Sequence, residues 1–148
     1  MPTVVRKREV AASPEAVWQL VGDPYHLPRW WPRVARVEAV AGGRFTELLS
    51  GARSGRNVRA DFRIAEKRKG RLLRFSQELA GSPFERVLKE AETSIALEPS
   101  GTGTRVSITQ RQRLRGLSRV GGGFLVRRAT RKLLDQALDG LEDAVGPA

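Results

Sequence analysis

The stretch from Val10 to Val34, VAASPEAVWQLVGDPYHLPRWWPRV, constrains the fold of this chain more than any other, because it holds a strand end, a helix start, a helix stop and an aromatic anchor. Ser13 is placed to cap a helix and Pro14 to occupy its first position, where a missing N–H costs nothing. Glu15 then faces the positive helix end. Val17, Trp18, Leu20 and Val21 follow at helical spacing. Gly22-Asp23-Pro24 stops the helix, and Tyr25-His26-Leu27-Pro28 opens a second short one that runs into Trp30-Trp31-Pro32. The order is strand, two short helices, aromatic lip.

Around this stretch the pattern has period two. Strands are expected near residues 3 to 11, 34 to 40 and 44 to 50, the last two joined by Gly42-Gly43 in a hairpin. From Asn57 to Glu66, Val58, Ala60, Phe62 and Ile64 alternate with Asn57, Arg59, Asp61 and Arg63, as in a half-buried antiparallel strand. Lys67 to Gly70 turns the chain. Leu73, Phe75, Gln77 and Leu79 then mark an inward face, followed by the Gly81-Ser82-Pro83 loop. A long strand near 85 to 97 brings Thr93, Ile95 and Leu97 inside. After a turn at Pro99 to Gly103, the last strand sets Thr104, Val106, Ile108, Gln110, Gln112 and Leu114 against Arg105, Ser107, Thr109, Arg111 and Arg113.

The chain ends in a helix from about Ser118 or later to Ala144. At 100° per residue, Val126, Leu133, Leu134, Ala137, Leu138, Leu141, Ala144 and Val145 form its apolar face. Arg127 and Thr130 point the same way as Leu134 and Leu141, and Arg131 sits at the edge of the stripe. A charge aimed at a sheet concavity is costly unless paired, solvated or met by a ligand. Arg127 therefore either lines an open cavity, snorkels past the helix end, or pairs with an internal carboxylate such as Glu47 or Glu90. Gly121-Gly122-Gly123 before the helix lacks the ending of a phosphate-binding loop and reads as a hinge near the cavity mouth.

The run Ala-Ala-Ser-Pro-Glu-Ala-Val-Trp, then Asp-Pro, then Leu-Pro-Arg-Trp-Trp-Pro, with Gly101-Thr102-Gly103-Thr104 and the long last helix, resembles the polyketide cyclase/dehydrase and lipid-transport family of the START-like (SRPBCC) superfamily. The resemblance covers nearly the whole chain. It implies an α+β helix-grip fold, a seven-stranded curved antiparallel sheet wrapped around the C-terminal helix, with two short helices after the first strand and a cavity between sheet and helix. Relatives include cyclases, aromatases, lipid carriers and hormone receptors, so the resemblance implies a cavity without choosing a reaction.

Composition bounds the rest. The 148 residues, 40% hydrophobic, suit a single domain over residues 1 to 148 with one core. With no cysteine there are no disulfides, thiolate nucleophiles or cysteine metal sites. His26, the only histidine, has no ligand-spaced partner, and neither a metal nor another cofactor is expected. No apolar run reaches the roughly 20 residues of a membrane span, and MPTVVRKREV lacks the apolar stretch of a signal peptide, so a cytoplasmic location is expected. The net charge is +11, and 22 of the 27 basic residues are Arg. They run from Arg53, Arg56, Arg59 and Arg63 through Arg74, then from Arg111 through Arg119 to Lys132. This reflects either genomic codon bias or recognition of an anionic partner such as RNA, the ribosome or anionic lipid.

The expected function is binding of a hydrophobic or amphipathic small molecule, acidic ones included. Trp30, Phe62, Phe75 and Leu134 would hold its apolar body, and Gln77, Gln110, Gln112, Arg127 and Thr130 its polar end. Trp30 reads equally as core packing, and Gln110 and Gln112 equally as a wet strand end. Two alternatives stand beside binding. One is a cyclase/dehydrase using the same cavity, with Arg127 the candidate for stabilising an enolate; the lack of a tyrosine other than Tyr25 departs from relatives of that kind. The other is an RNA- or ribosome-associated basic protein.

Overall fold

The computed structural model describes residues 3–50, 57–116 and 122–146. β1 (Thr3–Val10) leads into α1 (Pro14–Val21), a 3-10 turn at Pro24–His26 and α2 (Leu27–Trp30). Ser13 caps α1 as its sequence requires: its Oγ accepts from Ala16 N at 3.2 Å, and Pro14 sits in the first turn. The Asp23 side chain accepts from Tyr25 N at 3.0 Å and re-starts the chain after Gly22.

Six strands follow: β2 (Val34–Ala41), β3 (Arg44–Ser50), β4 (Asn57–Arg68), β5 (Leu72–Glu78), β6 (Leu88–Ser100) and β7 (Gly103–Leu114). The sheet is antiparallel throughout, in the order β1-β7-β6-β5-β4-β3-β2, so β1 crosses to the far edge and pairs with β7 from Val10↔Thr104 to Thr3↔Arg111. Gly103 permits the crossover, since a Cβ there would lie 2.2 Å from the Val10 carbonyl oxygen. Beside it Thr104 Oγ1 donates to the Ala12 carbonyl at 2.7 Å.

α3 (Gly122–Val145) lies against the concave face, completing the α+β helix grip. Leu134, Ala137, Leu138 and Leu141 of α3 are fully buried with Phe45, Leu73, Ile95, Val106 and Ile108 of the sheet. Side-chain packing of this kind, rather than helix propensity, holds α3 in place. Gly140 lets it approach α2: a Cβ there would lie 2.2 Å from the Trp30 carbonyl oxygen. No helix among the described residues is long and apolar enough to cross a membrane.

The alternation expected in β4 and β7 is present in the burial pattern and in the registers Phe45↔Phe62 and Thr93↔Gln110. Three local expectations need correcting. The sixth strand begins at Leu88 rather than 85, because Ser82 caps a 3-10 turn over Pro83–Arg86 by accepting from Phe84 N at 3.2 Å. It also runs on through Pro99 to Ser100, leaving a shorter turn at Gly101. Gly122 and Gly123 are already helical in the first turn of α3 instead of forming a hinge. Gly121, with Ser118, Arg119, Arg53 and Arg56, lies outside the described residues.

Many arginines are spent on the outer face of the sheet. Arg74 reaches Glu66 at 2.9 Å, Arg59 reaches Asp61 at 3.0 Å, and Arg105 bridges Glu9 and Glu98. Such exposed pairs, within a strand as for Arg59–Asp61 or across strands as for the others, are individually worth about 0–1 kcal/mol.

Candidate functional site

Between the concave face and α3 the chain leaves a cavity of about 220 Å3. Its floor is set by register. Phe45, Phe62 and Gln77 are successive partners across β3, β4 and β5; Phe75, Thr93 and Gln110 are partners across β5, β6 and β7. Because side chains along a strand alternate faces, these two rows share the inner face. Phe45 stacks on Phe62 with centroids 5.1 Å apart, and Phe75 meets both edge-on at 5.3 and 5.5 Å. The aromatic cluster forms a rigid apolar wall. Phe62, Phe75, Leu49, Phe84 and Leu133 contribute apolar lining, and Trp31, Pro32 and Arg33 close the side next to α2.

A second compartment, of about 440 Å3, adjoins the first and shares Arg33, Gln110 and Leu133 with it. Gln112, Ala129, Thr130, Lys132 and Gln136 complete its wall. The result is a cleft with an apolar inner chamber and a polar outer one. The Gln110 side chain sits between them: its Nε2 donates to Thr93 Oγ1 at 3.3 Å, while its Oε1 is buried with no partner among the described residues. Thr130 Oγ1 donates to Gln112 Oε1 at 3.4 Å and closes the outer chamber above.

The unusual group is Glu47. It lies on the inner face of β3 between Phe45 and Leu49, is 5% exposed, and has Val37 and the small Ala60 as cross-strand neighbours. It lines the inner chamber. Among the described residues its carboxyl has no hydrogen bond or ion pair. Burial alone pushes its pKa up from the usual 4.5 to about 8, because the charged form loses its hydration and gains no counter-charge. At neutral pH the group keeps its proton, so it presents both a donor and an acceptor to the chamber.

The residues expected at the site divide accordingly. Phe62, Phe75, Gln77 and Gln110 line the inner chamber, and Gln110, Gln112 and Thr130 the outer one. Trp30 and Leu134 instead lie in the core, 3% and 0% exposed, each one position from a lining residue, Trp31 and Leu133. The core reading of Trp30 is the one realised, with its indole Nε1 buried and without a partner among the described residues. Arg127 is exposed and stands outside both linings; Phe124 and Leu125 of the same turns of α3 are exposed too, while Val126 between them packs against Leu88, Ala91 and Leu114. Its two candidate carboxylates do not pair with it, since Glu90 lies 3.8 Å from Arg113 and Glu47 has no hydrogen bond or ion pair among the described residues. Glu47 appears in the sequence only as a potential counter-ion. The signal for more was its place between Phe45 and Leu49 on an inward face.

No cluster of three or more metal-ligating side chains occurs among the described residues. His26 Nδ1 donates to the Gln19 carbonyl at 2.8 Å and serves the α1–α2 junction, away from the cleft.

Residues 1–146 match the family model described as polyketide cyclase/dehydrase and lipid transport. No curated protein matches the chain by sequence. Solved structures of similar shape include the protein XoxI from Bacillus cereus, at 19% identity and TM-score 0.79, covering 98% of this chain and 96% of that one. A START superfamily protein from Mycobacterium smegmatis is 16% identical at TM-score 0.78, covering 97% and 96%. A protein from Thermus thermophilus is 28% identical at TM-score 0.69, covering 97% of each chain.

Proposed function

The chain belongs to the polyketide cyclase/dehydrase and lipid transport family, and from that premise we propose that it binds a hydrophobic or amphipathic small molecule in the cleft between sheet and α3. The observation that carries the reading is the inner chamber itself. Its apolar wall of Phe62, Phe75, Leu49 and Leu133 is interrupted by two buried polar groups that have no partner among the described residues, the Glu47 carboxyl and Gln110 Oε1. Buried polar groups are left unpaired rarely, and a ligand's polar end would supply what they lack. The ligand's ring or chain would lie on the phenylalanines, its polar group between Glu47, Gln77 and Gln110. The ionisable group buried in this chamber is a carboxyl, so a neutral polar end suits it better than an acidic one. Arg33, exposed at the rim shared by both chambers, and Lys132 in the outer wall are cations available to an acidic group there.

Native mass spectrometry of the purified protein tests for a retained small molecule, and titration with the neutral fluorophore prodan tests the emptied cleft. Filling the inner chamber with Ala60→Leu, while circular dichroism shows the fold intact, is expected to weaken dye binding at least tenfold. Equal affinity in wild type and variant would remove the inner chamber as the binding site.

A second reading rests on Glu47 and concerns turnover. A carboxyl still protonated near neutral pH, in contact with an apolar chamber, is placed to act as a general acid. It would protonate a departing hydroxyl, released as water, and recover its proton from the adjacent carbon of the substrate. This replaces Arg127 in the cyclase/dehydrase alternative. Loss of turnover in Glu47→Gln with ligand binding retained would separate catalysis from carriage.

A further inference from the structure

The charges of α3 fall in two blocks. Arg127, Arg128, Arg131 and Lys132 occupy its first half, and Asp135, Asp139, Glu142 and Asp143 its second. The acidic block is anchored to β1, with Asp135 paired to Arg6, and Asp139 and Glu142 paired to Arg8. The cationic block makes no hydrogen bond or ion pair with any described residue. Cations near the positive end of a helix oppose its dipole, so this order does not serve the helix itself.

Immediately ahead of the cations stand Phe124 and Leu125, 68% and 64% exposed and the most exposed large apolar side chains described. At 3.6 residues per turn, Arg131, Phe124, Arg128, Lys132 and Leu125 fall within an arc of about 120° on one face. At a rise of ~1.5 Å per residue, the cations centre about 8 Å behind the apolar pair, and the acidic block begins about 15 Å behind it. The tip is held by packing: Val126 lies against a cluster of Leu79, Leu88, Ala91 and Leu114 at the end of the sheet. Val87, 45% exposed, adds apolar surface at that sheet end, its carbonyl accepting from Arg115 N at 2.9 Å.

We propose that this end of the molecule docks on an anionic lipid bilayer. Phe124 and Leu125 enter the boundary between headgroups and acyl chains, to a depth of about 5–10 Å, which sets the four cations level with the lipid phosphates and keeps the acidic block in water. RNA would engage the cations but leave the apolar pair exposed to solvent, so the pairing of both features favours lipid. Thr130, Lys132 and Leu133, within two turns of the tip, wall the outer chamber, so docking brings the cleft opening toward the bilayer. The docking does not depend on what the cleft binds.

Flotation with vesicles of phosphatidylcholine, with and without about 30 mol% phosphatidylserine, tests the proposal. Wild-type protein is expected to float with the anionic vesicles and to be released in roughly 0.5 M salt. The triple variant Arg128→Ala, Arg131→Ala, Lys132→Ala is expected to lose about 100-fold in affinity. Phe124→Ala with Leu125→Ala is expected to lose at least tenfold. All substituted side chains lie on the exposed face, and thermal melts confirm that each variant folds. Phe124→Trp gives an independent readout, with a blue-shifted emission on binding. Three outcomes would overturn the proposal: no flotation with anionic vesicles at low salt, unchanged flotation of the Phe124/Leu125 variant, or binding to RNA with none to vesicles.

Discussion

A carboxyl that keeps its proton in the folded chain makes stability depend on pH with a known sign, and Glu47→Gln tests it. In the unfolded chain Glu47 titrates at about the usual 4.5; in the fold, burial raises this to about 8. Below 4.5 both states carry the proton, and the group adds no pH-dependent cost. As pH rises from 4.5 to 8 the unfolded state loses its proton while the folded state holds it, so stability falls across that window and levels off above 8. At pH 7 the accumulated cost is about 3 kcal/mol, since each pH unit within the window costs roughly 1.4 kcal/mol. The glutamine introduced by the substitution cannot ionise and has nearly the same shape, so the variant avoids that cost. Urea unfolding of both proteins between pH 4 and pH 8.5 gives a stability difference in which other titrating groups cancel. It is expected to be small at pH 4 and to reach about 3 kcal/mol in favour of the variant at pH 7. A difference that stays flat across this range would mean that Glu47 ionises freely in the fold, and the account of it as a buried carboxyl without a partner among the described residues would be wrong. A group that destabilises the free protein by this much is the kind retained where a ligand or a reaction uses it.

A contrast between two glycines tests the packing that shapes the cleft. Gly140→Ala drives a Cβ toward the Trp30 carbonyl oxygen at 2.2 Å, a backbone atom that cannot rotate away; it is expected to lower the melting temperature despite the gain of about 1 kcal/mol in helix propensity. Gly123→Ala, with nothing within 4 Å of the added Cβ, is expected to leave the melting temperature unchanged or raise it. Equal effects of the two substitutions would show that α3 does not press on α2. Ser13→Ala removes the hydrogen bond to Ala16 N and is expected to cost about 1 kcal/mol in chemical denaturation, with ligand affinity unchanged.

The architecture was legible because its signals are local and periodic. Ser13-Pro14-Glu15, the alternation of Val58 to Ile64 and the run Thr104 to Leu114 each specify an element without reference to the rest of the chain. The inner face of β4 and β7 therefore already contained Phe62, Gln110 and Gln112. The aligned apolar stripe of α3 likewise predicted Leu134, Leu138 and Leu141 inside. Arg127 shows where this reasoning ends. A helical wheel gives an angle but not which neighbours stand opposite each turn. Arg127, at the core-facing angle, meets solvent, while the neighbouring Val126 is the residue that packs against the sheet end. Trp30 and Leu134 differ from Trp31 and Leu133 by one position, about 100° of rotation on a helix, which decides between core and cavity wall.

Glu47 was invisible for a different reason. Its strand pattern places it inside, but its significance comes from the small Ala60 opposite it and from the absence of any described cation within reach, both consequences of how distant segments pair. A sequence that folds well usually satisfies propensity, patterning and charge at once, and departures concentrate where function requires them. Here the principal departures are a carboxyl inside the sheet and a block of cations at the wrong end of a helix, behind an exposed Phe-Leu pair, neither paired with any described residue. The first lies in the inner chamber. The second lies beside the outer chamber, which Thr130 and Lys132 of the same helix enclose. Neither helps the fold to form, and the second reaches the outer chamber through Lys132, so one cost lies in the cleft and the other begins at its edge.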